Sequence, residues 1–529
     1  MEFSILQNFS LNSVFKSLSG CLVGLSAFYL AKILNSYQFF KKRGLKTPKY
    51  EFFFGNFRQI IENKNYSDIL KNWTEKYGKT YGYFEGHLPV LVTSDLEIIQ
   101  EIFVKQYANF SARKKSNLGR SADDPAIDLF ESTKLRWKKM RTLMNPTFSS
   151  AKLRELGPLL ILCSDRLISV LENETEKELN ISEYLKRFTM DSIWNCAFGV
   201  DINMQFETEN EYFNKSEIIF KNTIDLNFFE FIGVYFHEFK EKVLNTLFFV
   251  NSVLSNFISE KNWHPFFWIR LKIIEIVEKR KKQENSSRKD YVQLLLDAET
   301  DFSNDNKTNS IQLTSTYFEK KLSMDEIKSN LVLFMLAGYE TTSTTLSYCC
   351  YVLATHIEEQ QKLYEEITSY FSNDANSVID SDSVQQLEYL DMFIKEVLRM
   401  FPIANKVVAR RCTKATNIKG IDIPEDLAIA VDVLSLHYDA DIWGPVDPNQ
   451  FYPERFSKDI KRNPLAFMAF GNGPRNCIGM KFALIELKIA LVKLLKNFEL
   501  KSNSDKLELI EGVVRYPKNG VNIYLKGRA

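Results

Sequence analysis

Between about residue 95 and residue 400 the apolar positions recur mostly at helical spacing, in long amphipathic runs separated by polar loops. The spacing predicts helices over Leu135–Met144, Phe188–Phe198 and Ile327–His356, the last opened by Ser323 with Asp325 and Glu326 in its first turn. Gln385–Arg399 and Lys481–Leu495 follow the same period. Shorter stretches alternate and predict strands: Thr80–Phe84, Pro89–Thr93, a run around Val407, Leu427–Val431, and a hairpin within Leu507–Leu525. The pattern describes a mainly α protein with a minor β part. Residues 281–323 are polar and charged, and read as a helix end followed by a surface loop.

Two stretches depart from amphipathicity. Ser17–Ala31 carries no charge, and with its flanks approaches the ~20 residues that an N-terminal transmembrane helix needs. Lys41, Lys42, Arg43 and Lys46 follow it, so the positive-inside rule puts the remaining chain on the cytoplasmic side. A cleaved signal peptide competes with this reading, but its basic cluster would precede the apolar run. The chain then divides into an anchor (1–40), a hinge (41–56) and one globular body (57–529). The second stretch, Phe228–Trp268, is crowded with Phe, Tyr and Trp and interrupted by Lys240, Lys242, Lys261 and Arg270. A surface dipping into the lipid interface and a plain core explain it equally well.

Charge narrows the function classes. Lys+Arg 68 against Asp+Glu 67 leaves a net charge of +1, which argues against a nucleic-acid binder. The seven cysteines form no C-x-x-C pair, a pattern that fits unpaired thiols in a reducing compartment.

Candidate chemistry sits where the helical pattern is interrupted. Ala337-Gly338-Tyr339-Glu340-Thr341-Thr342 places a glycine, a carboxylate and two hydroxyls inside a largely apolar helix. Buried polar groups need partners, and threonine hydroxyls that bond back to the preceding turn bend a helix. Phe470–Gly479 places Cys477 in a turn built from Gly471, Gly473 and Pro474, just ahead of a helix N-terminus that favours the thiolate. Taken alone, a buried structural cysteine explains that turn. Trp137 and Arg141 lie four apart on one helical face, and Glu396 and Arg399 three apart on another, with Arg455 in Pro453–Phe456 as a third member.

These pieces, in this order along the chain, resemble the cytochrome P450 haem-thiolate monooxygenases. Phe470, Gly473, Arg475, Cys477 and Gly479 fill every fixed position of the family's Phe-x-x-Gly-x-Arg-x-Cys-x-Gly motif. The stretches Leu387–Ala404 and Phe470–Leu484 look like the animal microsomal drug- and steroid-oxidising group. The resemblance implies the cytochrome P450 fold, with 57–529 a haem-binding catalytic domain that uses haem b (iron protoporphyrin IX). Cys477 would be the proximal iron ligand, with Phe470 packed near its sulfur and Gly479 giving the macrocycle room. Arg475, Trp137, Arg141, Arg410 and Arg113 would hold the propionates. Ala337 and Gly338 would face the haem, and Thr341 with Glu340 would deliver protons. Glu396, Arg399 and Arg455 would fix the scaffold. Substrate contacts would come from Ser116–Leu129, Phe334, Ala337, Ile403–Val408 and Gly512–Val514.

The implied partners are O2, an apolar small molecule such as a xenobiotic, steroid or lipid, and NADPH–cytochrome P450 reductase, with cytochrome b5 as a second donor. The implied place is the endoplasmic reticulum membrane. Lys134, Lys138, Lys139, Lys481 and Arg475 would form the surface that meets the reductase. The chain departs from the family in a hinge with Pro48 as its single proline, and in a longer aromatic region. A haem-thiolate isomerase or dehydratase acting on a peroxide is the alternative enzyme, and a haem-binding scaffold without turnover the alternative class. Thr341 and Glu340 speak against both.

Overall fold

The computed structural model describes residues 11–115, 123–207, 209–221, 263–282, 290–299, 321–371, 378–503 and 506–528, with isolated positions between 242 and 253. The main helices are α1 (Leu11–Ser36), α2 (Tyr66–Tyr77), α3 (Lys134–Met144), α4 (Ser150–Glu172), α5 (Ile181–Ile193), α6 (Glu211–Lys221), α7 (Pro265–Lys282), α8 (Met324–Thr355), α9 (Ile357–Phe371), α10 (Glu388–Met400) and α11 (Met480–Asn497). Helix α8 lies in the middle, packed against α5, α7, α10 and α11. An all-round apolar helix belongs there, because every face needs a neighbour. Ser323 caps it in a full capping box with Glu326, as the sequence predicts.

The sheets hold less of the chain. The largest has five strands in the order β1-β2-β8-β5-β3: β1 Thr80–Glu85, β2 Leu88–Thr93, β3 Ala112–Arg113, β5 Arg410–Arg411 and β8 Ala428–Val431. Strands β1 and β2 form a hairpin, while β2 pairs parallel with β8, setting Val90 against Ala428. The apolar run around Val407 is a short 3-10 turn, Asn405–Val408, rather than a strand. The C-terminal hairpin exists only in part. β10 (Leu509–Glu511) pairs with β11 (Arg515–Pro517), but β12 (Asn522–Gly527) crosses to join β9 (Phe498–Lys501) and β4 (Glu178–Asn180).

The N-terminal helix differs from a free anchor. Ile33, Tyr37 and Phe40 are buried against Phe84 and Leu91 of the sheet, so packing crosses the boundary expected at residue 40. Tyr37 stacks on Tyr50 at 4.5 Å and donates to Gly86 O at 3.2 Å. A Cβ on Gly82 would fall 2.4 Å from the Phe40 ring, so the sheet needs glycine where the chain crosses it. Among the described residues no helix is long and apolar enough to cross a membrane. Serines and glycines at Ser17, Ser19, Gly20, Gly24 and Ser26 dilute the leucines of the expected span. Leu22, Val23, Leu25, Phe28, Leu30 and Leu34 nevertheless stand exposed on α1.

Most of 228–268, and 300–320 of the polar region, lie outside the described residues. The end of the aromatic stretch is core: Trp268 is buried, and Trp263 and Phe266 pack against the same cluster.

Candidate active site

The Cys477 turn is shaped by its glycines. Gly471 and Gly473 have φ of 67° and 70°, and a Cβ on Gly473 would lie 2.3 Å from the Phe103 carbonyl oxygen. No other residue fits there without displacing backbone. Phe470 O accepts from Cys477 N at 2.8 Å, closing the turn three residues before α11. The Cys477 side chain is reached by water yet surrounded by protein, the mark of a residue on the wall of an internal cleft. Burial pushes its thiol up. The backbone N–H groups of Gly479 and Met480 and the charges of Arg141 and Arg113 pull the other way. The helix N-terminus therefore does not generate a thiolate unaided, and a metal cation at the sulfur would tip the balance. A Cβ on Gly479 would have Phe148 Cε1, at 3.9 Å, as its nearest tertiary neighbour among the described residues.

Four arginines converge on this turn. Strand register sets Arg113 directly opposite Arg410, a like-charge pair that costs stability unless an anion joins it. Arg410 is fully buried, donates among the described residues only to Val408 O and Ala409 O, and lies over the Phe103 ring at 4.3 Å. Arg113 donates to Val407 O and to Arg475 O and lies over Phe130 at 4.5 Å. Arg475, also buried, donates to Phe130 O and Ser132 O and stacks on Trp137 at 4.7 Å. Arg141 donates to Asn476 O at 2.8 Å and to its Oδ1 at 2.9 Å.

Among the described residues none of the four has a carboxylate within ion-pair distance, and the Nε atoms of Arg113, Arg410 and Arg475 are buried without a hydrogen-bond partner. Burial, then mutual repulsion, lowers Arg475 to about 9, and burial lowers Arg113 to about 10. Orphaned guanidinium donors beside a cysteine fit a ligand that carries two carboxylates and a metal, as haem does. Arg475 is thereby removed from the expected reductase surface, and Lys139 is half-buried beside Glu326. Lys134, Lys138 and Lys481 remain exposed.

Helix α8 carries a second accessible patch. Ala337 is exposed and Phe334 and Thr341 half-exposed in a helix otherwise largely buried, and their spacing puts them on one face. Thr341 Oγ1 donates to Ala337 O at 2.7 Å, and Thr345 and Ser347 repeat the back-bond. Gly338 and Glu340 point elsewhere. A Cβ on Gly338 would lie 2.8 Å from Ile193 Cδ1, so this glycine lets α8 approach α5. Glu340 is buried and faces Lys186 of α5 at 3.4 Å. Lys186 also pairs with Glu217 of α6 at 2.7 Å, and Tyr339 donates to the same carboxylate at 2.6 Å. Thr341 and Glu340 are thus neighbours in sequence that occupy different environments. Lys186, 154 residues upstream, carries no sequence signal that points to Glu340.

Beneath the cysteine turn, Arg399 clamps Glu396 through Nε and Nη2, both at 2.8 Å, and Arg455 Nε approaches Glu396 Oε1 at 3.2 Å. All three are buried. On α11, Glu486 is buried near Ser192 and Thr342, and burial raises its carboxyl to about 8. A raised carboxyl contributes stability that is full below its unfolded pKa of ~4.5 and is lost as pH rises through its folded value. Glu486→Gln is therefore expected to flatten the fall in thermal midpoint between about pH 5 and pH 8. Parallel pH profiles for variant and parent would contradict this.

Orphaned guanidinium donors around a cysteine turn are what a haem-thiolate protein requires. The chain belongs to the cytochrome P450 family, whose model matches residues 45–522. Cytochrome P450 3A29 of Sus scrofa is 35% identical over 476 residues, 88% of this chain and 87% of that protein. Putative cytochrome P450 CYP13A3 of Caenorhabditis elegans is 34% identical over 516 residues, covering 93% and 95%. Lithocholate 6-beta-hydroxylase of Mesocricetus auratus is 34% identical over 501 residues, covering 92% of each. The protein is an oxidoreductase of this family, which binds haem through a cysteine thiolate and works with O2, a small-molecule substrate and a redox partner.

Proposed function

We propose that the protein is a membrane-attached monooxygenase of apolar xenobiotics, steroids or lipids, supplied with electrons from NADPH by cytochrome P450 reductase. The observation that carries this reading is the Cys477 turn with four arginines around it, none paired to a carboxylate among the described residues and three with orphaned Nε donors. Bound haem supplies the activation of dioxygen and the transfer of one oxygen atom to substrate. The chain supplies the rest. Cys477 would hold the iron through its thiolate, and Arg113, Arg141, Arg410 and Arg475 would hold the propionates, with Trp137 bracing Arg475. Phe470 shields the sulfur and Gly479 leaves space beside it. Phe334 and Ala337 close the apolar side over the substrate.

Thr341 passes protons by swinging its hydroxyl off Ala337 O, and Glu340 resupplies them once it turns from Lys186. Thr341→Ala is expected to lower product formed per NADPH consumed on the order of tenfold, with a matching rise in peroxide. Unchanged coupling would assign the proton to another group.

The exposed leucine and phenylalanine stripe of α1 supports attachment to the endoplasmic reticulum as a single-pass anchor, and the basic run Lys41–Arg43 supports a cytoplasmic body. Alkaline carbonate should leave the protein in the membrane pellet, and release into the supernatant would sink the anchor. The decisive test of the whole reading is the reduced carbon monoxide complex. A Soret band at the thiolate position is expected, and one at the histidine-haem position would overturn it.

A further inference from the structure

The ligand turn is held from behind by a histidine that the reaction does not use. His437 closes the short helix Val433–His437 and is fully buried. Its Nε2 lies 2.9 Å from the backbone nitrogen of Met468, and its Nδ1 lies 3.0 Å from the backbone oxygen of Arg399. The two contacts assign the tautomer. A backbone N–H can only donate, so Nε2 accepts from Met468, and Nδ1 carries the hydrogen and donates to Arg399 O. Arg399 returns the contact through Nη1, which donates to His437 O at 2.8 Å. The ring lies flat against Phe467, with centroids 5.6 Å apart and planes 12° apart, and edge-on to Trp443. Rotation is therefore blocked on both sides.

From Met468 the path to the cysteine is short and made of backbone. Met468 O accepts from Gly471 N at 2.9 Å, and Phe470 O accepts from Cys477 N at 2.8 Å. On the other side Arg399 belongs to the Glu396 cluster, which is rigid because its charges are satisfied only in one arrangement. Burial and the Arg399 charge lower the imidazole to about 3, so the neutral form that both contacts require persists throughout the working range.

We propose that His437 is a positioning residue for the haem ligand: it hangs the Phe470–Cys477 turn, through the Met468 N–H, from the Glu396–Arg399–Arg455 cluster. The proposal rests on Cys477 being the thiolate ligand. It goes beyond that assignment by naming what sets the height of the sulfur.

Three variants separate positioning from mere support. His437→Gln can place its amide oxygen near the Nε2 position, keeping the Met468 contact and giving up Arg399. His437→Asn can place its amide nitrogen near Nδ1, keeping Arg399 and giving up Met468. His437→Phe keeps the stacking on Phe467 and loses both. In the reduced carbon monoxide complex, Gln is expected to keep the parent's thiolate band. Asn and Phe are expected to carry about tenfold more thiol-ligated haem relative to thiolate-ligated haem, the effect of one lost buried hydrogen bond. The haem reduction potential should move in Asn and Phe and stay in Gln. Asn keeping the parental band while Gln loses it would overturn the proposal, as would losses that simply track thermal midpoint in all three. If none of the variants retains haem, exchange of the Met468 backbone amide in the parent holoenzyme decides. Protection matching the surrounding core supports the contact, and exchange at the rate of an exposed amide overturns it. A parent without any thiolate band would bring down the ligand assignment itself, a failure distinct from all of these.

Discussion

Cys477→Ala is expected to leave a folded protein that neither shows the thiolate band nor turns over substrate. The side chain lies on the wall of the cleft, and burial already works against its ionised form. Truncating it removes one sulfur from a turn whose shape is set by Gly471, Gly473 and the Cys477 N–H, so the cost to the fold should stay within about 1 kcal/mol. The cost to haem is of another order. On the proposed assignment the four arginines would still offer their donors to the propionates and could retain a loosely associated pigment, but iron would lose its protein ligand and with it the electron donation that favours O–O cleavage. Thermal unfolding of the haem-free protein and the reduced carbon monoxide spectrum, measured together, check both halves. A variant that keeps the parental spectrum, or whose haem-free form unfolds like a core mutant, would contradict the assignment.

Glu396→Ala is expected to prevent the protein from accumulating at 37 °C. Glu396 is the only carboxylate paired with Arg399 and Arg455 among the described residues, and all three side chains are almost completely inaccessible. Removing one member of a buried ion pair costs ~3–5 kcal/mol because the remaining charge has lost its counterion. Here two guanidiniums are left, against a total stability of about 5–15 kcal/mol. The backbone acceptors of Arg399 and Arg455, which include His437 O, Pro448 O and Trp443 O, stay in place but carry no net charge. Glu396→Gln keeps the shape and one acceptor oxygen and should lose less. Urea unfolding of the three proteins measures the order. An alanine variant within about 1 kcal/mol of the parent would show that the carboxylate is dispensable.

What could be read from the chain follows how local each constraint is. The Phe470–Gly479 turn was legible because its needs are met within ten residues: positive φ at two glycines, a thiol, and a following helix. Helix α8 was legible from its period and its cap. The roles given to Arg113 and Arg410 rested on resemblance, and their placement side by side depends on β3 pairing with β5 across almost 300 residues, which no local pattern encodes. Gly338 and Glu340 show the same limit in reverse. The interruption of an apolar helix marks both as candidates and the family resemblance puts them on the cofactor side, but what they touch is Ile193 and Lys186, set by how α5 crosses α8. The C-terminal strands were assigned to one hairpin because alternation cannot say which sheet a strand joins.

The seating of α1 against the sheet bears on how this protein is produced for study. A soluble version made by deleting everything up to the basic run would take Ile33, Tyr37 and Phe40 with it, and Gly82 would face the space that the Phe40 ring fills. Three large side chains would leave a gap beside Phe84 and Leu91, next to the strands that lead to Arg410. A shortened chain that begins just before Tyr29 keeps that wedge, together with the Tyr29 ring packed beside it, and discards Leu22, Val23, Leu25 and Phe28 of the exposed stripe.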